Sequence, residues 1–349
     1  MESNFILTDV MKTGDHLQVE NFFNHCTLED QKFTTDEEYY SLQNYDLDSY
    51  DRRIALIDVS HKNYYALGNS GLFANELENR LKLLHSQGFK FIQSSPWESH
   101  ENLLDKNFFP RIEVPHMKWT GDVSWFWFYM YNKHKDNLYS FNHVTKPFDF
   151  LYLNKRMRDH RIKLFKQLEK TNLLENSIVT NWPNKKLPPE YELPWAQDYP
   201  MYGRDQDIYE KPYNDTKFSI ISETNDNSTN IFMTEKVWKP IIAQQLFVVH
   251  GNHLYLQKLR EIGFKTFANI IDESYDIEID PDKRITKLVN TIRKLKESNW
   301  QDLYLQSQAT RKHNFDTLFN SERLSEQVNK TINLFLKFVD SGQVTPTKS

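Results

Sequence analysis

A single cysteine, Cys26, stands in a chain of 349 residues, which excludes an internal disulfide and any multi-cysteine metal site. Glycine is nearly as sparse, with 9 residues. No glycine-rich phosphate cradle is present, so neither a P-loop nor a dinucleotide fingerprint is available to hold a nucleotide. Long apolar runs are missing too. The longest aromatic stretch, Trp125 to Tyr131, falls far short of the roughly 20 residues that span a bilayer. The N-terminal stretch MESNFILTDV carries an early acidic residue and no long apolar core, unlike a signal peptide. The formal net charge of -5 lacks the basic footprint of a protein that lives on bulk attraction to nucleic acid. A local basic patch touching nucleic acid remains compatible with it. The expectation is a cytoplasmic protein with no transmembrane association.

What the chain has in excess is aromatic residues, 14% in all. Such side chains fill cores, and they also stack on sugar faces and bases. Elements alternate along the sequence. A strand over Ile54 to Val59 is followed by a Gly68-Asn69-Ser70-Gly71 turn, a helix carrying Leu77, Leu81 and Leu84, a stop at Gly88 and a strand from Phe89 to Ile92. Residues 105 to 148 read as strands and long loops, with Trp125, Trp127 and Tyr129 on one side of a strand and Phe126 and Phe128 on the other, or as an aromatic acceptor groove. A second series opens with the strand Phe148 to Leu153. The proline-rich segment 181 to 217 cannot hold a long helix. Strands follow at Phe218 to Ser222 and Leu246 to Val249, with a helix capped by Thr234 between them that Pro240 makes either start late or kink. Thr266-Phe267 reads as the start of a further strand. From Pro281 an apolar stripe of Ile285, Leu288, Val289, Ile292 and Leu295 marks a helix, and a last helix carries Leu324, Val328, Ile332 and Phe335.

This succession predicts an α/β fold of two nucleotide-fold domains, 1–148 and 149–340, with a disordered tail at 341–349. Ligands of such sheets bind at the carboxyl ends of the strands, and a second domain supplies the opposite wall of a cleft.

The richest constellation is Glu223, Thr234, Glu235 and Lys236. Glu223 stands where a strand ends, and an ionised carboxylate there accepts hydrogen bonds from ligand hydroxyls. Thr234, Glu235 and Lys236 open a helix, whose free N–H groups favour an anion, and Lys236 adds a charge able to neutralise a diphosphate. A second cluster, Lys155, Arg156, Arg158, His160 and Arg161, follows the strand ending at Leu153, again at a helix start. Arg156 and Arg161 carry planar forks suited to phosphate oxygens. On spacing alone, solvent-facing first-turn charges and a simple cap account for the first cluster equally well, and a solvated helix start or a patch contacting the other domain accounts better for the second.

Phe218-Ser219-Ile220-Ile221-Ser222-Glu223-Thr224, then Phe232-Met233-Thr234-Glu235-Lys236, then Leu246 to Gly251 resembles the donor-binding signature of the alpha-1,3/4-fucosyltransferase family. Thr224 stands where that family usually has Asn. The segment Lys312-His313-Asn314-Phe315 is similar to the family's closing element. The resemblance implies a GT-B fold of two facing Rossmann-like domains, a nucleotide-sugar donor such as a GDP-linked sugar held by the C-terminal domain, and an inverting transfer without an essential metal. It implies Glu223 on the ribose or sugar, and Lys236 with Arg156 or Arg161 on the diphosphate.

An inverting transfer needs a general base on the acceptor hydroxyl, from a carboxylate or histidine on the opposite wall. Asp58 ends a strand, Glu98 follows Pro96-Trp97 in a strand-exit loop, and Asp122 precedes the aromatic run. These three are the candidate catalytic residues. The acceptor is a glycan or another hydroxyl, and a modified DNA base is an alternative; a non-catalytic nucleotide-sugar-binding protein is the reading from another class. No metal is expected, since the histidines lack ligand spacing. The acidic stretch Asp272 to Asp282 lacks the central glycine of a calcium loop and reads as a solvated turn, or as one placing Tyr275 and Asp276 near the donor base.

Overall fold

The computed structural model describes residues 5–9, 48, 52–58, 79, 81–94, 116–119, 124–141, 146–154, 158–181, 191, 207–226, 231 and 233–341. Among these residues it is a mixed α/β protein with two four-stranded sheets, each wholly parallel in its pairing. The chain divides into two units, Met1–Trp125 with Glu322–Ser349, and Phe126–Ser321.

The first unit holds β1 (Phe5–Asp9), β2 (Arg52–Asp58), β3 (Lys90–Ser94) and β4 (His116–Trp119), in the order β1-β2-β3-β4. The strand β1 lies in a stretch that reads as polar and weakly periodic; five residues, FILTD, suffice to pair with β2 from Phe5↔Arg52 to Asp9↔Leu56. Gly88, at φ +84, ends the helical residues 81–86 and turns the chain into β3. Helix α8, which belongs to this unit and spans Ser321–Ser341, buries Leu324, Val328, Ile332, Phe335 and Val339 along one face. Arg52 ties that helix to β2 through Asp340 at 2.7 Å, and the Lys90 ammonium donates to the Val339 carbonyl.

The second unit begins within α1 (Ser124–His134), which corrects the strand reading of the aromatic run. Trp127, Met130 and His134 recur at helical spacing and are buried, with Phe128 buried beside them. Aromatic side chains favour strands only where a pleated surface receives them. Here Trp127 meets Trp238 at 6.1 Å and Phe264 at 5.0 Å between ring centroids, and its indole N–H donates to the Leu318 carbonyl at 2.8 Å. The strands are β5 (Phe148–Asn154), β6 (Ile178–Asn181), β7 (Thr216–Ser222) and β8 (Leu246–His250). Their helices are α2 (Asp159–Lys170), α3 (Glu210–Asp215), α4 (Glu235–Ile242), α5 (Tyr255–Glu261), α6 (Pro281–Glu297) and α7 (Trp300–Leu318). Pro240 lies within α4, which starts on time at Glu235. Thr266 and Phe267 are not in a strand; Phe267 instead packs edge-on against Phe247.

The sheet order is β6-β5-β7-β8. The chain passes from β5 outward to β6, then returns past β5 to β7, so connections leave β5 and β7 in opposite directions. That is the switch point at which open α/β sheets form a crevice. The pairing reports it directly. β5 pairs with β6 to Asn154↔Asn181 and β7 with β8 to Ser222↔His250, whereas β5 and β7 pair only to Leu151↔Ser219. The two central strands part before their carboxyl ends.

Candidate functional site

Glu223 follows β7 at that parting and is fully buried, at 0% exposure. Its carboxylate accepts from Thr234 Oγ1 at 2.7 Å, Tyr255 Oη at 2.7 Å, and the Thr234 and Thr224 amides at 3.2 and 3.3 Å. The carboxylate that reads in sequence as facing a ligand is thus held by four protein donors. Burial and the neighbouring Glu223 charge push the Tyr255 hydroxyl well above its ordinary value, so it stays a donor.

Thr234 is the N-cap of α4, accepting from the Lys236 amide as that helix start requires. The Lys236 ammonium lies 2.7 Å from Thr234 Oγ1, 2.8 Å from Glu235 Oε1 and 4.0 Å from Glu223 Oε2, with a quarter of the side chain exposed (25%). Burial raises the Glu235 carboxyl, but the Lys236 and Lys239 charges outweigh it and hold the group below its ordinary value. Glu223, Thr234, Glu235 and Lys236 therefore form one cluster at the start of α4.

Arg161 comes from the first turn of α2 and is buried. Its Nη2 donates to the Ser222 and Glu223 carbonyls at 3.2 and 2.9 Å, and Nε to the Glu223 carbonyl at 3.3 Å. These carbonyls lie beyond the last β5–β7 pair, so the guanidinium takes the place of the missing ladder. The reading of Arg161 as a diphosphate fork meets a side chain already engaged with main chain. His160 Nε2 faces the Glu223 carbonyl at 3.0 Å, which assigns it the proton, and its Nδ1 lies 3.6 Å from Asp226 Oδ1. His250 Nε2 is 3.9 Å from Asp226 Oδ2, and its ring meets that of His160 at 5.3 Å. Burial lowers both imidazoles, His250 more strongly because His160, Arg284 and Arg161 add to it, whereas Asp226 opposes the shift at His160.

Sequence reasoning passed over Asn154, Asp226, Tyr255 and Arg284. Arg284 Nη1 ties the Asp226 and Gly251 carbonyls together at 2.6 and 2.7 Å. A polar residue closing the apolar run of β5 was the available signal for Asn154. Asp276, expected near a donor base, instead accepts from the Leu256 and Gln257 amides at 2.8 and 3.1 Å and caps α5. Tyr275 is buried, and its hydroxyl faces the Val249 amide. Asp280 caps α6 in the same way through Asp282 and Lys283. Of the expected general bases, Asp58 is the last residue of β2, at the carboxyl end of its sheet. Glu98 and Asp122, like Arg156 and the tail beyond 341, lie outside the described residues.

Among the described residues, no group of histidine, cysteine and carboxylate side chains is arranged to hold a metal ion, and no helix is long and apolar enough to cross a membrane. The class that fold and site define is an α/β protein of two parallel sheets with a polar cluster at one switch point. No family model, curated protein or solved structure matches the chain.

Proposed function

We propose that the chain is a glycosyltransferase of GT-B type, transferring a sugar with inversion from a nucleotide-sugar donor to a hydroxyl acceptor. The observation that carries this reading is the Lys236 ammonium, partly exposed at the first turn of α4, beside a strand that ends at the switch point. Breaking the anomeric C–O bond leaves negative charge on a nucleoside diphosphate, and a fixed cation with helix N–H groups stabilises it where it develops. Glu223 acts as the anchor that holds Thr234 and the α4 start in place. The general base comes from the acceptor side, where Asp58, Glu98 and Asp122 stand as candidates.

The test is a thermal-shift panel of UDP-, GDP-, CMP- and dTDP-sugars, since a ligand of the native state raises apparent stability. One class is expected to stabilise the protein, and Lys236→Ala to abolish the shift; because Lys236 also neutralises Glu235 and Glu223, its unliganded melting temperature is expected to fall, and each shift is read from that protein's own baseline. Equal responses from parent and variant would sink the assignment of Lys236, and a panel without any shift would sink the transferase reading itself.

A further inference from the structure

Asn154 closes β5, beyond the last β5–β7 pair, and is 2% exposed. Its main chain is provided for: the amide donates to Thr180 Oγ1 at 2.8 Å, and that hydroxyl lies 3.3 Å from the Asn154 carbonyl. The side chain is not. Neither Nδ2 nor Oδ1 has a hydrogen-bond partner among the described residues. The Tyr152 hydroxyl lies near enough to be influenced by the amide, but without hydrogen-bond geometry to it, and is shared with Ser222 Oγ at 3.2 Å.

A carboxamide buried with both ends open is costly, because each end gives up water without gaining a partner. Buried polar side chains are overwhelmingly paired, and exceptions call for a reason. Among the described residues, Asn154 is the buried side chain that leaves both a donor and an acceptor open. Its position supplies the reason. Leu153 turns outward at 41% exposure, so Asn154 points to the opposite face, the side of Tyr152 and Phe150. It stands past the point where β5 and β7 part.

We infer that Asn154 is a specificity-determining residue of the proposed donor site, reading a neutral group that both donates and accepts: a sugar hydroxyl or the lactam edge of a base. This rests on the nucleotide-sugar reading above. The chemistry selects the group. A phosphate or carboxylate only accepts and would leave Oδ1 open; an ammonium only donates and would leave Nδ2 open; a hydroxyl or an amide edge satisfies both.

The experiment compares full-length parent and Asn154→Leu, which keeps the number and branching of heavy atoms but is bulkier and apolar. Thermal shifts are read with UDP, GDP and the corresponding UDP- and GDP-hexoses. Without ligand, Asn154→Leu is expected to melt near the parent, the removal of an unpaired amide offsetting the added bulk. With nucleotide sugar it is expected to bind about tenfold more weakly, the equivalent of one lost hydrogen-bonding partner. Loss confined to the nucleotide sugars assigns the amide to a sugar hydroxyl, and equal loss with the bare diphosphates assigns it to the base. Parent-like affinity for both probes overturns the inference while leaving the transferase reading intact. So does unliganded melting well below the parent, which would make the amide a structural group. No shift of the parent by any probe removes the transferase reading and the inference together.

Discussion

Tyr255 Oη donates to Glu223 Oε1 at 2.7 Å, joining the start of α5 to the end of β7 through a fully buried carboxylate. Gly251 makes this approach possible. A Cβ placed there would lie 2.9 Å from the Tyr255 ring, closer than real contacts allow. The hydroxyl bond goes to an acidic group, and such bonds contribute about 1.5–3 kcal/mol. We expect Tyr255→Phe to lower stability by that amount, read as a lower urea midpoint at unchanged slope. Gly251→Ala is expected to lower it as well, by displacing the ring. A Tyr255→Phe protein as stable as the parent would show that the carboxylate does not depend on this donor.

Arg161 yields the second prediction, because its guanidinium bridges the carbonyls that β5 leaves unpaired. Arg161→Gln shortens the reach and removes the fork, leaving buried carbonyl groups short of donors at about 1–3 kcal/mol each. The expected signature is local: faster amide hydrogen exchange through residues 222–226 and α2, with α8 unaffected. If Arg161 instead serves a ligand, exchange stays at the parental rate and only nucleotide-sugar binding weakens.

These two residues also show what was legible in the sequence. Phe218 to Ser222 and Leu246 to Val249 read as strands because short apolar runs bounded by polar turns have few other solutions. Thr234 read as a cap because its hydroxyl completes a helix start. The meeting of Glu223, Thr234 and Lys236 followed from those two elements. What Arg161 would touch was not legible, since a guanidinium serves a phosphate and a main-chain carbonyl with the same donors, and sequence does not say that β5 and β7 part early. Asp226 and Tyr255 were hidden for a similar reason: contacts across the sheet top depend on strand order, not on local pattern. β1 was hidden by brevity.

The aromatic run gives the third prediction. Trp127 is fully buried against Trp238 and Phe264, with its indole N–H on the Leu318 carbonyl. Trp127→Ala removes a large side chain from a closed contact and is expected to cost about 3–5 kcal/mol. Trp127→Phe keeps part of the ring stack but leaves the Leu318 carbonyl without that donor, so a smaller loss of about 1–3 kcal/mol is expected. Thermal unfolding followed by circular dichroism separates them. Equal and negligible shifts for both would mean that α1 contributes little to the second unit.

The last prediction concerns pH. His250 is 1% exposed, with Nδ1 facing Ser222 Oγ at 3.2 Å, and burial holds its pKa well below the usual histidine value. The neighbouring His160, Arg284 and Arg161 charges act in the same direction, and His160 is itself lowered. In the unfolded chain both imidazoles titrate near the ordinary value of about 6.5. Below that pH the unfolded state binds protons that the folded state refuses, so stability rises with pH through this range and is lost as pH falls below about 6.5. Each histidine adds a slope of up to about 1.4 kcal/mol per pH unit. His250→Gln retains a polar partner for Ser222 but cannot titrate. Urea midpoints measured from pH 7.5 down to 5 are therefore expected to fall less steeply in the variant, with the two curves diverging from about pH 6.5 downward. Parallel curves across that window would mean that His250 takes up its proton in the folded protein, and that the Asp226 carboxylate 3.9 Å away outweighs burial together with His160, Arg284 and Arg161.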